Sequence, residues 1–179
     1  MRRLCTLLAA GAAAALVLVG GAAPGPAQPS LGKARLHGNF DVTTRVLSAS
    51  GIDVARGSKD TGTWGFKPIC GSGACDVRLT FSYRGASFDR HRLTVSLDRR
   101  AASYRGTGTA RFLECNFADV PGPVTVTINV TKAAMIGGVW RATRVRGSYV
   151  HTTRAASSGI YTCPATRLTV AINGTLPDY

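Results

Sequence analysis

Apolar and polar residues alternate with a period of two in several runs of this chain, and this alternation restricts the fold more than any other feature. In the clearest run the apolar set is Val77, Leu79, Phe81 and Tyr83, and the polar set is Asp76, Arg78, Thr80 and Ser82. Successive side chains of a β-strand point to opposite faces of a sheet, so a period of two indicates a half-buried strand. The pattern returns at residues 93–97, 124–130 and 168–172.

Four weaker runs complete the predicted strands, at residues 40–46, 64–66, 104–112 and 140–152. The last run changes phase, which predicts a β-bulge near Thr143 or Arg144. Gly106 and Gly108 in the third run allow a bend or a close backbone approach. Turn residues separate the runs, and no helical repeat follows the N-terminal segment. We therefore expect an all-β protein, a single antiparallel β-sandwich or up-and-down β-barrel of about eight strands.

The N-terminal segment has the layout of a secretory signal peptide. Arg2 and Arg3 precede an apolar run at residues 4–19, and small residues follow. We expect a signal-peptide helix in residues 1–27 with cleavage after Ala27, since cleavage after Ala23 would leave a proline at the new terminus. The alternative is an uncleaved membrane anchor, for which the apolar run is short. Residues 28–38 then form a flexible lead-in, residues 39–179 form the β-domain, and the protein is secreted.

Four cysteines remain after the signal peptide: Cys70, Cys75, Cys115 and Cys163. An even number of cysteines in an exported chain indicates disulfides, and four cysteines allow three pairings. We favour Cys70–Cys75, because the four residues between them form a flexible turn, and this leaves Cys115–Cys163 as the long-range bridge. The scattered histidines do not have the spacing of zinc ligands, so we expect no metal site.

Basic residues are in large excess, with a net charge of +13 that falls to +11 when residues 1–27 are removed. Arginine dominates this excess, which together with abundant Ala and Gly is typical of a high-GC bacterial source. The predicted strands carry a candidate surface for an anionic envelope polymer or a membrane surface: Arg78, Arg90, Arg92, Arg141, Arg144 and Arg146. The alternative is a solvated surface that discourages pairing of sheet edges. Nucleic acid is not expected, because the aromatic residues fall at core positions rather than on an exposed stacking face.

Catalytic and cofactor-binding patterns are missing from the sequence. There is no nucleophile elbow, phosphate-binding loop or facing pair of carboxylates. His91, beside Asp89, and His151, on the polar face of its strand or at its end, are the remaining catalytic candidates, and we expect both to be exposed. We therefore predict no catalytic residue, no cofactor and no enzymatic activity.

One segment resembles a known group of proteins. Trp64, Phe66, Pro68, Cys70, Gly73 and Cys75 form a W-x-F-x-P-x-C-x-x-G-x-C pattern, which is similar to that of small exported actinobacterial β-proteins. Some of these are lipoproteins and some are joined to membrane kinases. The likeness extends over residues 61–173 through Tyr104-Arg105-Gly106, Cys115 and Cys163. This chain has no lipidation cysteine and no kinase domain, and the group implies no activity. Gly62-Thr63-Trp64 also resembles the Gly-x-Trp of lipocalins, whose barrels hold small hydrophobic ligands, although no C-terminal helix follows.

These observations favour a secreted, non-enzymatic domain that binds a ligand or an anionic envelope component. Specificity would then lie in the predicted loops 50–62, 71–74, 115–123 and 153–162. A first alternative is an interaction or inhibitor module for an extracellular protein, which would use the disulfide-supported loop from Cys70 to Cys75. A second alternative is a lipocalin-like carrier of a small ligand.

Overall fold

The computed structural model describes residues 29–84, 90–115, 118–158 and 161–177, without the side chains of residues 84, 112–115, 118–119, 158 and 161. A 3-10 turn, Leu31–Lys33, precedes the strands. The strands are β1 (Gly38–Ser50), β2 (Lys59–Pro68), β3 (Val77–Arg84), β4 (Arg90–Arg100), β5 (Ser103–Cys115), β6 (Ala118–Ile136), β7 (Val139–Thr153), β8 (Ala156–Ser158), β9 (Tyr161–Cys163) and β10 (Thr166–Thr175). Among these residues, no helix is long and apolar enough to cross a bilayer.

Eight of the strands form one closed antiparallel barrel in the order β1, β10, β7, β6, β5, β4, β3, β2. Each strand pairs with its neighbour in sequence, except that β7 pairs with β10 across the small β8–β9 hairpin. Pairing of β1 with β10 closes the sheet. The all-β prediction is therefore confirmed, and of the two predicted architectures the structure has the up-and-down barrel.

The barrel interior is filled by the apolar side chains that the alternation predicted. Phe40, Leu79, Leu97, Ile128 and Ile172 come from five strands, and none is more than 1% exposed. Phe40 and Phe66 meet edge to face with ring centroids 5.3 Å apart, an arrangement that aromatic pairs prefer. Interior side chains from strands that are distant in sequence thus hold the barrel together.

Two local predictions about the strands are confirmed. The pairing of β6 with β7 shifts between Val130 and Ala133, where Arg144 pairs with Lys132 and Thr143 is passed over, so a bulge lies at the predicted position. A side chain on Gly106 would collide with the carbonyl oxygen of Ser96, so β5 crosses β4 closely there. Both features bend the strands, as barrel closure requires.

The lead-in predicted at residues 28–38 packs against the barrel over residues 31–38. Ala34 and Leu36 are buried in the core, and the backbone of Arg35 bonds to β7 on both sides, to Trp140 and Ala142. The segment looked polar and irregular in sequence because its two buried side chains are too few to show a period. It crosses one end of the barrel and covers the core there.

Other predictions concern the loops and disulfides. Cys70 and Cys75 form the predicted disulfide. Cys163 is also disulfide-bonded. The side chain of Cys115 lies outside the described residues, so the Cys115–Cys163 pairing stays a prediction.

The predicted loop 115–123 is largely strand β6, and the predicted loop 153–162 contains the hairpin β8–β9. Prolines at 121 and 123 obscured the strand; they fit because β7 pairs with β6 only from Val124 onward. Residues 1–28 are not described, so the signal peptide also stays a prediction.

Candidate functional site

The two ends of the barrel differ. At the end we call the closed end, the lead-in is held by guanidinium groups that donate hydrogen bonds to carbonyl oxygens. Arg35 donates to Cys70 and Gly71, at 3.2 and 2.9 Å, Arg141 donates to His37 at 3.0 Å, and Arg99 donates to Gly32. At the other end, which we call the mouth, β2 begins and β3 finishes.

An open cavity of about 770 Å³ lies at the mouth. Its size is within the range of small-molecule sites, about 300–1,000 Å³. Its lining combines aromatic, hydroxyl and charged groups: Thr44, Asp60, Thr61, Gly62, Thr63, Trp64, Phe81, Ser82, Tyr83, Arg90, Tyr149 and Leu168. Six strands contribute to it, β1 to β4, β7 and β10.

An aromatic wall forms one side of the cavity. The rings of Trp64 and Phe81, which are cross-strand partners on β2 and β3, stack 4.1 Å apart at 9°. Tyr83 continues the wall, 6.2 Å from Phe81 and 5.4 Å from His91. The backbone N–H of Arg111 donates a hydrogen bond of 2.9 Å to the Tyr83 hydroxyl. Packing and hydrogen bonding therefore hold this wall in one orientation.

Tyr149 lines the cavity from β7, on the other side of the barrel. Burial, and to a smaller extent the Asp60 carboxylate, raise the pKa of the Tyr149 phenol above its usual value of 10.0. The phenol is therefore neutral at physiological pH and adds a hydroxyl to a lining that contains both polar and apolar groups. Asp60 stands at the rim and accepts a hydrogen bond of 2.8 Å from the backbone N–H of Thr61.

Gly62 leaves part of the cavity empty. It lies two residues before Trp64 on β2, and a Cβ atom added there would have no atom within 4 Å. A glycine inside a strand costs stability because it loses more backbone entropy and packs no side chain. At this position the glycine keeps the space in front of Trp64 open.

The two histidines are less exposed than we predicted. His151 has no exposed surface because the bulge at Thr143 puts it on the same face as Val145 and Tyr149. Its Nε2–H donates to the carbonyl oxygen of Ala110 at 3.3 Å, and burial lowers the pKa of the imidazole. His91 is partly buried beside Tyr83, and the neighbouring Asp89 lies outside the described residues.

The six arginines of the predicted anionic-partner surface do not form one patch. Arg78, Arg90 and Arg92 are exposed on β3 and β4, whereas Arg144 and Arg146 are exposed on β7. In the strand order β7 is separated from β4 by β6 and β5, and from β3 by β10, β1 and β2. Arg141 is partly buried and holds the lead-in. Alternation along one strand assigned a face to each arginine but could not place separate strands around a closed barrel.

The predicted loops also divide between the ends. The loop after β1 and the segment around β8 and β9 lie at the mouth, and loop 71–74 lies at the closed end. Arg35 bonds to the disulfide loop at Cys70 and Gly71, so that loop helps to hold the lead-in.

Sequence reasoning missed Asp60, Tyr149 and Leu168 as neighbours in one cavity. The face of Tyr149 follows from the predicted bulge, and this signal could have placed it inside the barrel. Its closeness to Asp60 depends on closure of the sheet through β1 and β10, which no local pattern indicates. Within the described ranges, no group of His, Cys, Asp and Glu is arranged to hold a metal ion.

The chain matches no family model, and no curated protein or solved structure is significantly similar to it.

Proposed function

We propose that this protein is a secreted, non-catalytic carrier that binds a small amphipathic molecule in the mouth of its barrel. The observation that carries the proposal is the cavity of about 770 Å³ between the aromatic wall and Tyr149. Small-molecule sites place fixed polar groups beside apolar surface, and the lining of this cavity contains both kinds of group, which suits an amphipathic ligand. The Trp64, Phe81 and Leu168 side chains supply the apolar surface, and Asp60 and Arg90 at the rim supply the polar groups.

The lining also limits the chemistry of the ligand. A flat or branched apolar body fits against the ring of Trp64, and hydrogen-bonding groups fit beside the hydroxyls of Thr44 and Ser82. One carboxylate and one guanidinium line the same space, so their charges cancel. The expected ligand is therefore neutral or carries both signs of charge, and it is not a polyanion.

The lipocalin-like carrier is the predicted function that this cavity supports best. An inhibitor that uses the Cys70–Cys75 loop is less favoured, because contacts with Arg35 already give that loop a structural role. Secretion and the absence of catalysis remain parts of the proposal.

The experiment uses the two tryptophans, which lie at opposite ends of the barrel. Trp140→Phe leaves Trp64 in the cavity as the single fluorophore. We expect the neutral probe N-phenyl-1-naphthylamine to quench Trp64 emission by energy transfer in a saturable, one-to-one titration. Gly62→Phe, made in the same background, adds a ring at a position where an added Cβ meets no atom within 4 Å, and it is expected to weaken probe binding at least tenfold.

Gly71→Phe is the matched control. An added Cβ at Gly71 also has no atom within 4 Å, but this residue lies in the disulfide loop at the closed end. It is expected to leave probe affinity unchanged. Equal probe affinities for Gly62→Phe and the parent would show that the mouth is not the binding site and would refute the proposal.

A further inference from the structure

Large apolar side chains are exposed at the closed end of the barrel. The described residues include six exposed large apolar side chains, and four of them lie at this end: Leu31, Ile69, Met135 and Val139. Met135 is 59% exposed and Ile69 is 57% exposed. Leu47 and Val54, the other two, lie toward the mouth. Exposed apolar residues that are concentrated in one region mark an interaction surface.

Hydrogen bonds connect the segments that carry these four residues. Met135 pairs with Trp140 across the β6–β7 hairpin, and Ile136 pairs with Val139. The Trp140 Nε1–H donates to the carbonyl oxygen of Ser30 at 3.2 Å, which brings Leu31 to the hairpin. Ile69 is joined to the same region through Arg35, which bonds to both the Trp140 and Cys70 backbones.

The turn of the β6–β7 hairpin exposes apolar residues on both of its strands. Gly137 and Gly138 both have positive φ, 55° and 76°, as the two-residue turns of tight hairpins require. Apolar residues flank the glycines on both strands, at positions that are normally polar in an exposed turn. Trp140 is partly buried, with its indole N–H bonded at the surface, which is how tryptophan sits at a membrane interface.

Basic residues surround the apolar surface. Lys33, Lys132 and Arg144 are exposed beside it. Lys132 and Arg144 are direct cross-strand partners, and the next residue in that row, on β10, is Thr175. Like charges that face each other across strands reduce stability, so this pair has no benefit for the isolated barrel. An anionic surface would remove the repulsion.

We propose that the closed end docks on the surface of an anionic lipid bilayer, with the β6–β7 turn and Ile69 inserted among the headgroups. The combination of exposed apolar side chains and nearby basic side chains is complementary to such a surface and not to a soluble polyanion, which would not contact the apolar side chains. The mouth then faces away from the membrane, which leaves the cavity accessible.

Trp140 reports on docking in a Trp64→Phe variant of the chain that begins at Gln28, the predicted exported form. The variant is mixed with vesicles of phosphatidylcholine and phosphatidylglycerol that contain a lipid with brominated acyl chains. We expect the bromines to quench Trp140. Trp64, observed in the Trp140→Phe variant, is expected to escape quenching because it lies at the other end of the barrel. Equal quenching of the two tryptophans would overturn the proposed orientation.

Affinity measurements on the same vesicles test which side chains of the barrel contribute to docking. Met135→Ser with Val139→Ser is expected to weaken vesicle binding at least tenfold, whereas the matched pair Leu47→Ser with Val54→Ser has no effect. Lys132→Gln and Arg144→Gln are expected to weaken binding about fivefold each, as expected for one basic group near an anionic surface. The proposal fails if the two serine pairs bind equally, or if vesicles of phosphatidylcholine alone bind as well as the anionic ones.

Discussion

At the level of single residues, His151 is the least expected group in the barrel interior. Its ring is fully buried, and one nitrogen donates to the Ala110 carbonyl oxygen. Such burial is compatible with a neutral imidazole, which needs less hydration than the cation. The structure thus assigns His151 a role in the core, and its distance in sequence from Ala110 explains why no motif revealed the contact.

The burial of His151 predicts a loss of stability in mild acid. Because the folded pKa lies below the usual value of 6.5, the unfolded chain binds more protons between the two values. The contribution of His151 to the free energy of unfolding is therefore complete above about pH 6.5 and is lost as the pH falls through the folded pKa. His151→Gln, measured by urea denaturation between pH 7.5 and 5, is expected to remove most of this pH dependence.

His37→Gln is the comparison for that experiment. His37 is exposed at the closed end, and its pKa is lowered by partial desolvation and by Arg141 and Arg35. Solvent screens an exposed group, so this variant is expected to keep most of the acid sensitivity. If His37→Gln removes the pH dependence and His151→Gln does not, the assignment to the buried histidine is wrong.

At the level of structural elements, the lead-in behaves as part of the barrel. Leu36 has no exposed surface, and the guanidinium groups of Arg99 on β4 and Arg141 on β7 donate to backbone carbonyl oxygens on either side of it. The buried Leu36 side chain covers the core at the closed end, as a short terminal helix does in many barrels. A segment of this kind is invisible to periodicity because it is neither a strand nor a helix.

Leu36→Ala tests the importance of this segment. Removal of a fully buried leucine side chain is expected to lower the free energy of unfolding by about 2–5 kcal/mol. Leu47→Ala, at an exposed position on β1, is expected to change it by less than about 0.5 kcal/mol. Chemical denaturation of both variants provides the measurement. An equally small effect of both changes would mean that residues 31–38 are only loosely attached.

At the level of the whole molecule, the positive charge is spread around the barrel. Like-charged cross-strand partners include Lys67 with Arg78, Lys132 with Arg144, and Arg45 with Lys59. This distribution causes repulsion within the folded state. We assign docking to the Lys132–Arg144 pair because its two strands form the β6–β7 hairpin, which carries Met135 and Val139; the Lys67–Arg78 pair also lies toward the closed end, near Ile69.

Lys67→Glu tests whether the other pairs are simply unfavourable. The change places opposite charges across β2 and β3 and is expected to raise the free energy of unfolding by about 0.5 kcal/mol at low ionic strength. Lys67→Gln should produce about half of that gain, and 1 M salt should remove both gains by screening, since the Debye length is then about 3 Å. A gain that persists in high salt would point to packing rather than charge.

Local chemistry determines much of this protein. Side-chain alternation predicted the eight strands of the barrel, because each strand buries one face over its own length. Turn residues predicted the hairpins, the phase change predicted the bulge at Thr143, and the short flexible turn predicted the Cys70–Cys75 bridge. Each of these features depends on residues that are close together in the sequence.

Features that depend on distant contacts required the tertiary structure. Pairing of β1 with β10 closes the sheet into a barrel rather than a sandwich. The closed sheet brings Asp60 near Tyr149, and it separates the arginines that alternation had placed on similar faces. It also gave Leu36 and His151 their burial and left Met135 exposed. The physical reason is that period two assigns a side chain to one face of a strand, whereas closure of the sheet decides whether that face meets the core, the cavity or the solvent.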